Sequence, residues 1–162
     1  MAPLPRAYQW VDGSAYINHV ELVRLVQNAE VPPNYYTEPL MYQGGSDDFL
    51  GPCDAAPFVS EAMGIDFEAE LAVITGDVPL GTPADAALDS VRLILLANDW
   101  SLRHLTGPEL AKSFGFLTCK PATAFSPVAV TPDELGDAWQ DGRVHLTLQT
   151  AWNGRTVGRC DA

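Results

Sequence analysis

Positive charge is what this chain has least of. Nine Lys and Arg stand against 21 Asp and Glu in 162 residues, a formal net charge of −12. Nucleic acids and anionic bilayers recruit basic patches, so neither is expected as a partner. Cysteine is also scarce. Cys53, Cys119 and Cys160 are odd in number and widely spaced, which suits neither a disulfide framework nor a zinc site and points to a reducing cytoplasm. No apolar run approaches the roughly 20 residues of a membrane-spanning helix. The opening residues, broken by Pro3 and Pro5, lack the apolar stretch of a secretion signal.

What is present is ordinary for a globular protein: 47% apolar and 19% charged residues, enough for one domain with its own core across 1–162. Residues 1–13 read as extended entry. Ser14 is placed to cap a helix running to about Glu30, with Ile17, Val20, Val23 and Val26 near one face and Pro32 and Pro33 as its stop. Residues 34–60 are rich in Gly, Pro, Asp and Ser and read as functional loop with short strands. Alternation predicts a strand over 65–75, and the run Val91–Ala97 a strand buried on both faces. Thr82 is read as the cap of a short helix begun by Pro83. Residues 101–118 read as loop with at most short helical turns, 124–130 and 144–152 as further strands, and Thr131–Leu135 as a turn or helical turn. Asn153-Gly154 is a strong hairpin signal. Only eight residues follow it, so the expectation is a domain that stops where its return strand begins to pair.

The sharpest chemical signal is the stretch GIDFEAELAVITGDVP. On a strand, Asp66, Glu68 and Glu70 share one face, with neighbours about 6.7 Å apart. Three carboxylates in a row repel and are poor strand formers. A water-facing strand is one reading. Two features favour a hard divalent cation instead: the same face continues into Ala72 and Ile74, and no Lys or Arg lies nearby in sequence. The apolar strand LILLA then ends at Asn98-Asp99, a second acid opening into a loop, which is read either as a site residue or as a turn former. Arg103 follows four residues later. It is placed to grip a substrate carboxylate or to pair with Asp99 on the surface.

Four segments together, DFEAELAVITGDVP, LANDWSLR, KSFGFLTCKPATAFSPVAVTPDEL and WNGRTVG, resemble the fumarylacetoacetate hydrolase family in order and spacing, most like its bacterial-type members. The resemblance spans the chain, which looks like the N-terminal and middle part of the family's catalytic domain with the C-terminal part missing. It implies a β-rich α+β fold, a mixed β-sandwich or β-roll with short peripheral helices, and a homodimer in the full-length form. It implies metal carboxylates at Glu68, Glu70 and Asp99, with a further aspartate from GGSDDFLGP, Asp48 before Asp47. It implies substrate contacts and charge stabilisation from Arg103, Lys112 and Gly115, and a Mg²⁺ or Ca²⁺ cofactor with Mn²⁺ as a further candidate. The implied activity is hydrolysis of a carbon–carbon bond in a β-diketo acid of the fumarylacetoacetate or acylpyruvate type, in aromatic-compound or tyrosine catabolism. Decarboxylation, isomerisation or hydration of an oxo acid, or a non-catalytic metal-binding remnant, stand as alternatives. The chain departs from the family at Leu50, where the founding enzyme has an aromatic hydroxyl, and at Ala55, where it has a catalytic histidine. His19 and His104 do not match that position. The general base is therefore unassigned. A domain lacking its C-terminal part would leave sheet edges and apolar faces uncovered.

Overall fold

The computed structural model describes residues 1–162. Eleven short strands and three helices alternate along the chain. They are β1 (Trp10–Ser14), α1 (Ile17–Val26), β2 (Leu40–Gly44), β3 (Ile65–Asp66), β4 (Ala69–Thr75), α2 (Ala84–Ala87), β5 (Val91–Asn98), β6 (Ser101–Leu102), α3 (Arg103–Leu110), β7 (Ala124–Phe125), β8 (Trp139–Gln140), β9 (Arg143–Val144), β10 (Thr147–Trp152) and β11 (Arg155–Asp161). All strand pairs are antiparallel, and an isolated parallel bridge joins Leu50 to Ala124. The fold is thus the expected β-rich α+β class with peripheral helices.

The central sheet has the order β4-β5-β7. Its inner face carries Ala72, Leu95, Ala97 and Phe125, packed with Ala2 and flanked by Trp10, Phe49, Ile74 and Ala129. Trp10 and Phe49 meet the Phe125 ring edge-on at 5.4 and 4.9 Å between centroids, the favoured geometry for aromatic quadrupoles. Trp10 enters from β1, whose inward positions alternate with the exposed Val11 and Gly13. That alternation carries Asp12 to the same side as Trp10.

The outer face of this sheet is partly open. Ile94, bridged to Val130, is 4% exposed there, but Val73 and Leu96 are 46% and 49% exposed, so the second face of β5 is buried only in part. The 17.5 kDa chain presents 11423 Å² to solvent, against roughly 7,900 Å² for a compact monomer of that mass.

Several boundaries moved for local reasons. Ser14 does not cap α1; it pairs with Leu40 as the last residue of β1, and the helix starts after Tyr16 with no side-chain cap. Thr82 Oγ1 donates to the Pro79 carbonyl and caps no helix. Residues 103–110 form a full helix despite Gly107 and Pro108. The expected strand over 124–130 is reduced to two residues and a bridge from Val130 to Ile94. After Asn153 and Gly154, both at positive φ (48° and 77°), seven of the eight remaining residues form a return strand, Arg155–Asp161, paired as far as Thr147 with Asp161. The expectation that the chain stops where this strand begins to pair is corrected.

Candidate metal centre

The site forms where one long antiparallel arm breaks. Ile65 faces Leu102, Asp66 faces Ser101 and Ala69 faces Asn98, so 65–74 and 93–102 keep a single register across the gap between β3 and β4. That register sets Glu68 opposite Asp99. A hydrogen-bonded antiparallel pair exchanges two backbone bonds, and here only Asp99 N–H to Glu68 O is made, at 3.0 Å. The Glu68 N–H donates to Asn98 Oδ1 at 3.2 Å instead. The Asp99 carbonyl accepts from the Lys120 ammonium at 3.2 Å.

Glu68 and Glu70 come together here, as their one-face spacing suggests, with Asp99 from the paired strand; Asp66, the third acid of that row, lies outside the group and pairs with Arg103. The fourth acid is Asp12. Each of the four offers an oxygen within 4.8 Å of the others. Asp12 sits directly opposite Tyr42 in the β1–β2 pair, and the Tyr42 hydroxyl donates to Asp99 Oδ2. Thr123, buried, donates to Asp99 Oδ1 at 2.8 Å. Ser101, also buried, donates to Glu68 Oε1 at 2.6 Å.

Two cations serve these acids. Lys120, with only 9% of its side chain exposed, lies 2.7 Å from Asp99 Oδ2 and 3.2 Å from Glu68 Oε2. It also donates to Ser101 Oγ at 2.8 Å. Arg103 spans Asp66 and Glu68, both at 2.8 Å. The segment bearing Lys120 is itself pinned. The Glu109 carboxylate on α3 accepts from the backbone N–H groups of Leu117, Thr118 and Cys119 and from the Thr118 hydroxyl. The Cys119 thiol, then the Thr118 hydroxyl and these backbone groups, hold Glu109 well below the usual carboxylate range.

Neither Asp12 nor Glu70 is paired with Lys or Arg. Burial, then the neighbouring charges of Asp12, Asp99 and Glu68, push Glu70 up to about 8. Burial and then Asp99 push Asp12 up to about 6. Burial and the bond to Asp99 drive the Tyr42 phenol well above its ordinary value, so it stays a proton donor. Asp66 is lowered overall: partial burial, the largest single effect, raises it, but the bond from Arg103 and its other partners outweigh that. The donor set is hard oxygen with uncompensated negative charge. That chemistry fits a divalent cation of the Mg²⁺, Mn²⁺ or Ca²⁺ type.

Other expected residues lie elsewhere. Asp48 and Asp47 are exposed on the loop after β2 and outside the acidic group. Lys112 is exposed in the turn after α3 and joins none of the ion pairs. The buried lysine is Lys120, eight residues on in the same motif. Gly115 is exposed at φ 97° with open space around it. Arg103 is at the cluster, held by its acids. His104 Nδ1 bonds the Ala62 carbonyl at 2.8 Å, and His19 is exposed on α1. Ala55 is exposed in the 51–60 loop. Asp12, Tyr42 and Lys120 were not singled out from sequence. The one signal for Asp12 is its spacing from Trp10 on a short strand.

Residues 9–162 match the family model described as fumarylacetoacetate (FAA) hydrolase C-terminal. The chain belongs to the fumarylacetoacetate hydrolase family. It is 34% identical over 115 residues to 2,4-didehydro-3-deoxy-L-rhamnonate hydrolase of Sphingomonas sp. (strain SKA58), covering 69% of this chain and 39% of that protein. It is 30% identical over 154 residues to the fumarylacetoacetase of Arabidopsis thaliana, covering 78% and 35%. It is 29% identical over 128 residues to the mitochondrial oxaloacetate tautomerase fahd2 of Xenopus laevis, covering 77% and 37%. The chain thus spans between a third and two-fifths of the length of these curated relatives. Its fold is shared with a fumarylacetoacetate hydrolase family protein from Yersinia pestis CO92 (TM-score 0.67, 18% identity, 98% of this chain and 69% of that one). It is also shared with fumarylpyruvate hydrolase from Pseudomonas aeruginosa, solved with Mn²⁺ and pyruvate (TM-score 0.60, 14% identity, 85% and 58%).

Proposed function

We propose that this chain carries the cation-dependent centre of an enzyme that cleaves a carbon–carbon bond in a β-diketo acid of the fumarylacetoacetate or acylpyruvate type. The observation that supports it most is the pair of half-buried acids, Asp12 and Glu70, left without a cation beside Glu68 and Asp99. In this reading Asp12, Glu68, Glu70 and Asp99 hold a divalent ion. When bound, the ion supplies Lewis-acid polarisation of a substrate carbonyl and a sink for negative charge.

The chain's own groups do the rest. Arg103, half exposed at the rim, is positioned to exchange an acid partner for a substrate carboxylate. Water adds to the distal carbonyl, the carbon–carbon bond breaks, and its electron pair passes to the proximal fragment as an enolate, which then takes a proton. The Lys120 ammonium faces the developing charge, the role the resemblance gave to Lys112. The assembly proposed is a cytoplasmic homodimer acting on a small oxo acid in aromatic-compound or tyrosine breakdown.

A second reading has one specific observation behind it. No histidine reaches the cluster, so the hydrolytic reading has no assigned water-activating base, whereas enolate stabilisation has its groups in place. That favours a tautomerase or decarboxylase of oxo acids. Turnover of fumarylpyruvate and of oxaloacetate with Mg²⁺ or Mn²⁺ separates the two. Hydrolysis abolished by Glu68→Gln is expected under the first. Enolisation without hydrolysis would overturn it in favour of the second. Absence of both with unaltered cation binding would leave a non-catalytic metal-binding module.

A further inference from the structure

The two best-anchored carboxylates of the centre are almost saturated with donors. A carboxylate offers about four lone-pair sites. Asp99 spends three of them, on Thr123 at Oδ1 and on Tyr42 and Lys120 at Oδ2. Glu68 also spends three, on Ser101 and Arg103 at Oε1 and on Lys120 at Oε2. Each retains one acceptor position, enough for a single bond to an ion and too few for a two-oxygen grip.

That count discriminates between cations. Ca²⁺ takes about 6–8 oxygens in flexible geometry and commonly uses carboxylates through both oxygens, whereas Mg²⁺ demands about six at near-octahedral positions and is satisfied by single contacts. Mn²⁺ accepts the same octahedral oxygen set. Among the donors on Asp99, Tyr42 is fixed from outside the ion-pair network. Its place opposite Asp12 follows from the β1–β2 register, and its ring packs edge-on against Phe116 at 5.4 Å. The Lys120 ammonium lies 5.6 Å from the same ring. The hydroxyl therefore cannot be drawn away from Asp99 by rotation of a free side chain.

We infer that Tyr42 sets the cation preference of the centre: by occupying Asp99 it restricts this ligand to one contact and selects a small octahedral ion, Mg²⁺ or Mn²⁺, over Ca²⁺. The inference rests on the reading of the acidic group as a cation centre. Tyr42 is a positioning residue and touches no reacting atom.

The test is calorimetric titration of the parent protein and of Tyr42→Phe with Mn²⁺ and with Ca²⁺, without substrate. The parent is expected to bind Mn²⁺ more tightly. Tyr42→Phe is expected to lower the ratio of the Ca²⁺ to the Mn²⁺ dissociation constant about 10-fold, the scale of losing an outer partner of a metal ligand. An unchanged ratio overturns the inference, whether the two affinities fall together or stay as they were, and leaves the cation centre standing. Absence of binding by the parent overturns both. Should Tyr42→Phe not fold, Thr123→Val gives the second arm: it frees only Oδ1 and leaves Oδ2 filled by Tyr42 and Lys120, so the ratio is expected to hold, and a fall there overturns the inference.

Discussion

Lys120→Met tests whether the ammonium is the resident counter-charge of the cluster. The substitution keeps the apolar stem and removes the only cation that reaches Asp99, a carboxylate 1% exposed. Breaking a buried ion pair from one side typically costs about 3–5 kcal/mol, because the remaining charge stays desolvated. The Tyr42 and Thr123 donors do not neutralise it. For a chain of this size about 2–4 °C of melting temperature corresponds to 1 kcal/mol, so the cation-free variant should melt about 6–20 °C lower. Urea denaturation in EDTA measures the free energy directly.

Two controls give this prediction its edge. In Lys120→Met with Asp99→Asn the buried charge is gone, so the double variant should lose less than the single losses combined. Mn²⁺ should stabilise Lys120→Met more than the parent, since the added ion then meets a more negative cluster. A loss below about 1 kcal/mol in EDTA would refute the reasoning and make Lys120 an ordinary surface cation. Equal stabilisation of parent and variant by Mn²⁺ would refute it as well, because ion and ammonium would then not serve the same charges.

Two further predictions follow from the same geometry. Glu70 and Asp12 stand at about 8 and about 6 in the folded protein against model values of 4.5 and 3.8. Between those limits the folded state binds more protons than the unfolded one, so cation-free stability should fall as pH rises from about 4 to about 8. Urea titrations in EDTA at either end of that window check it, and a slope that persists in the Asp12→Asn, Glu70→Gln double variant or under saturating Mn²⁺ would count against these groups as its origin. Asp12→Asn should weaken Mn²⁺ binding by about 10-fold or more while Asp48→Asn leaves it unchanged; the reverse pattern would return the fourth ligand to the 45–52 loop.

What could be read from sequence was what shares a short-range pattern. Glu68 and Glu70 lie two residues apart on a strand, and Asp99 lies at the end of the strand that pairs with it, so period-2 alternation and one hairpin register sufficed. Asp12, Tyr42 and Lys120 arrive from elements far away in the chain. Their positions depend on the β1–β2 pairing and on Glu109 holding residues 117–119, neither of which leaves a local periodicity. Lys112 and Lys120 sit in one motif, and only tertiary packing separates the exposed one from the buried one. Burial of β5 was overestimated for a similar reason. An apolar run reports that a strand is able to bury two faces and says nothing of whether a second layer covers it, and Leu96 is half exposed. Helix boundaries failed at Ser14 because a capping residue is equally competent to end a strand.

The break between β3 and β4 explains why the acids can coexist at all. An uninterrupted ladder would have the Glu68 N–H donate to the Asp99 carbonyl and leave both side chains as a repelling cross-strand pair. Here that one ladder bond is exchanged for two others. Asn98 Oδ1 takes the Glu68 N–H, and the freed Asp99 carbonyl becomes an anchor for Lys120. The ammonium is thereby fixed by a backbone group as well as by carboxylates, so its position does not depend on the charge it neutralises. A cation entering the cluster takes the acceptor positions that Asp99 and Glu68 keep free, while the bonds to the Asp99 carbonyl and to Ser101 Oγ hold Lys120 beside the carboxylates, at 2.7 and 3.2 Å. The local cost of the interrupted strand is thus what lets a lysine and a divalent ion share one set of acids.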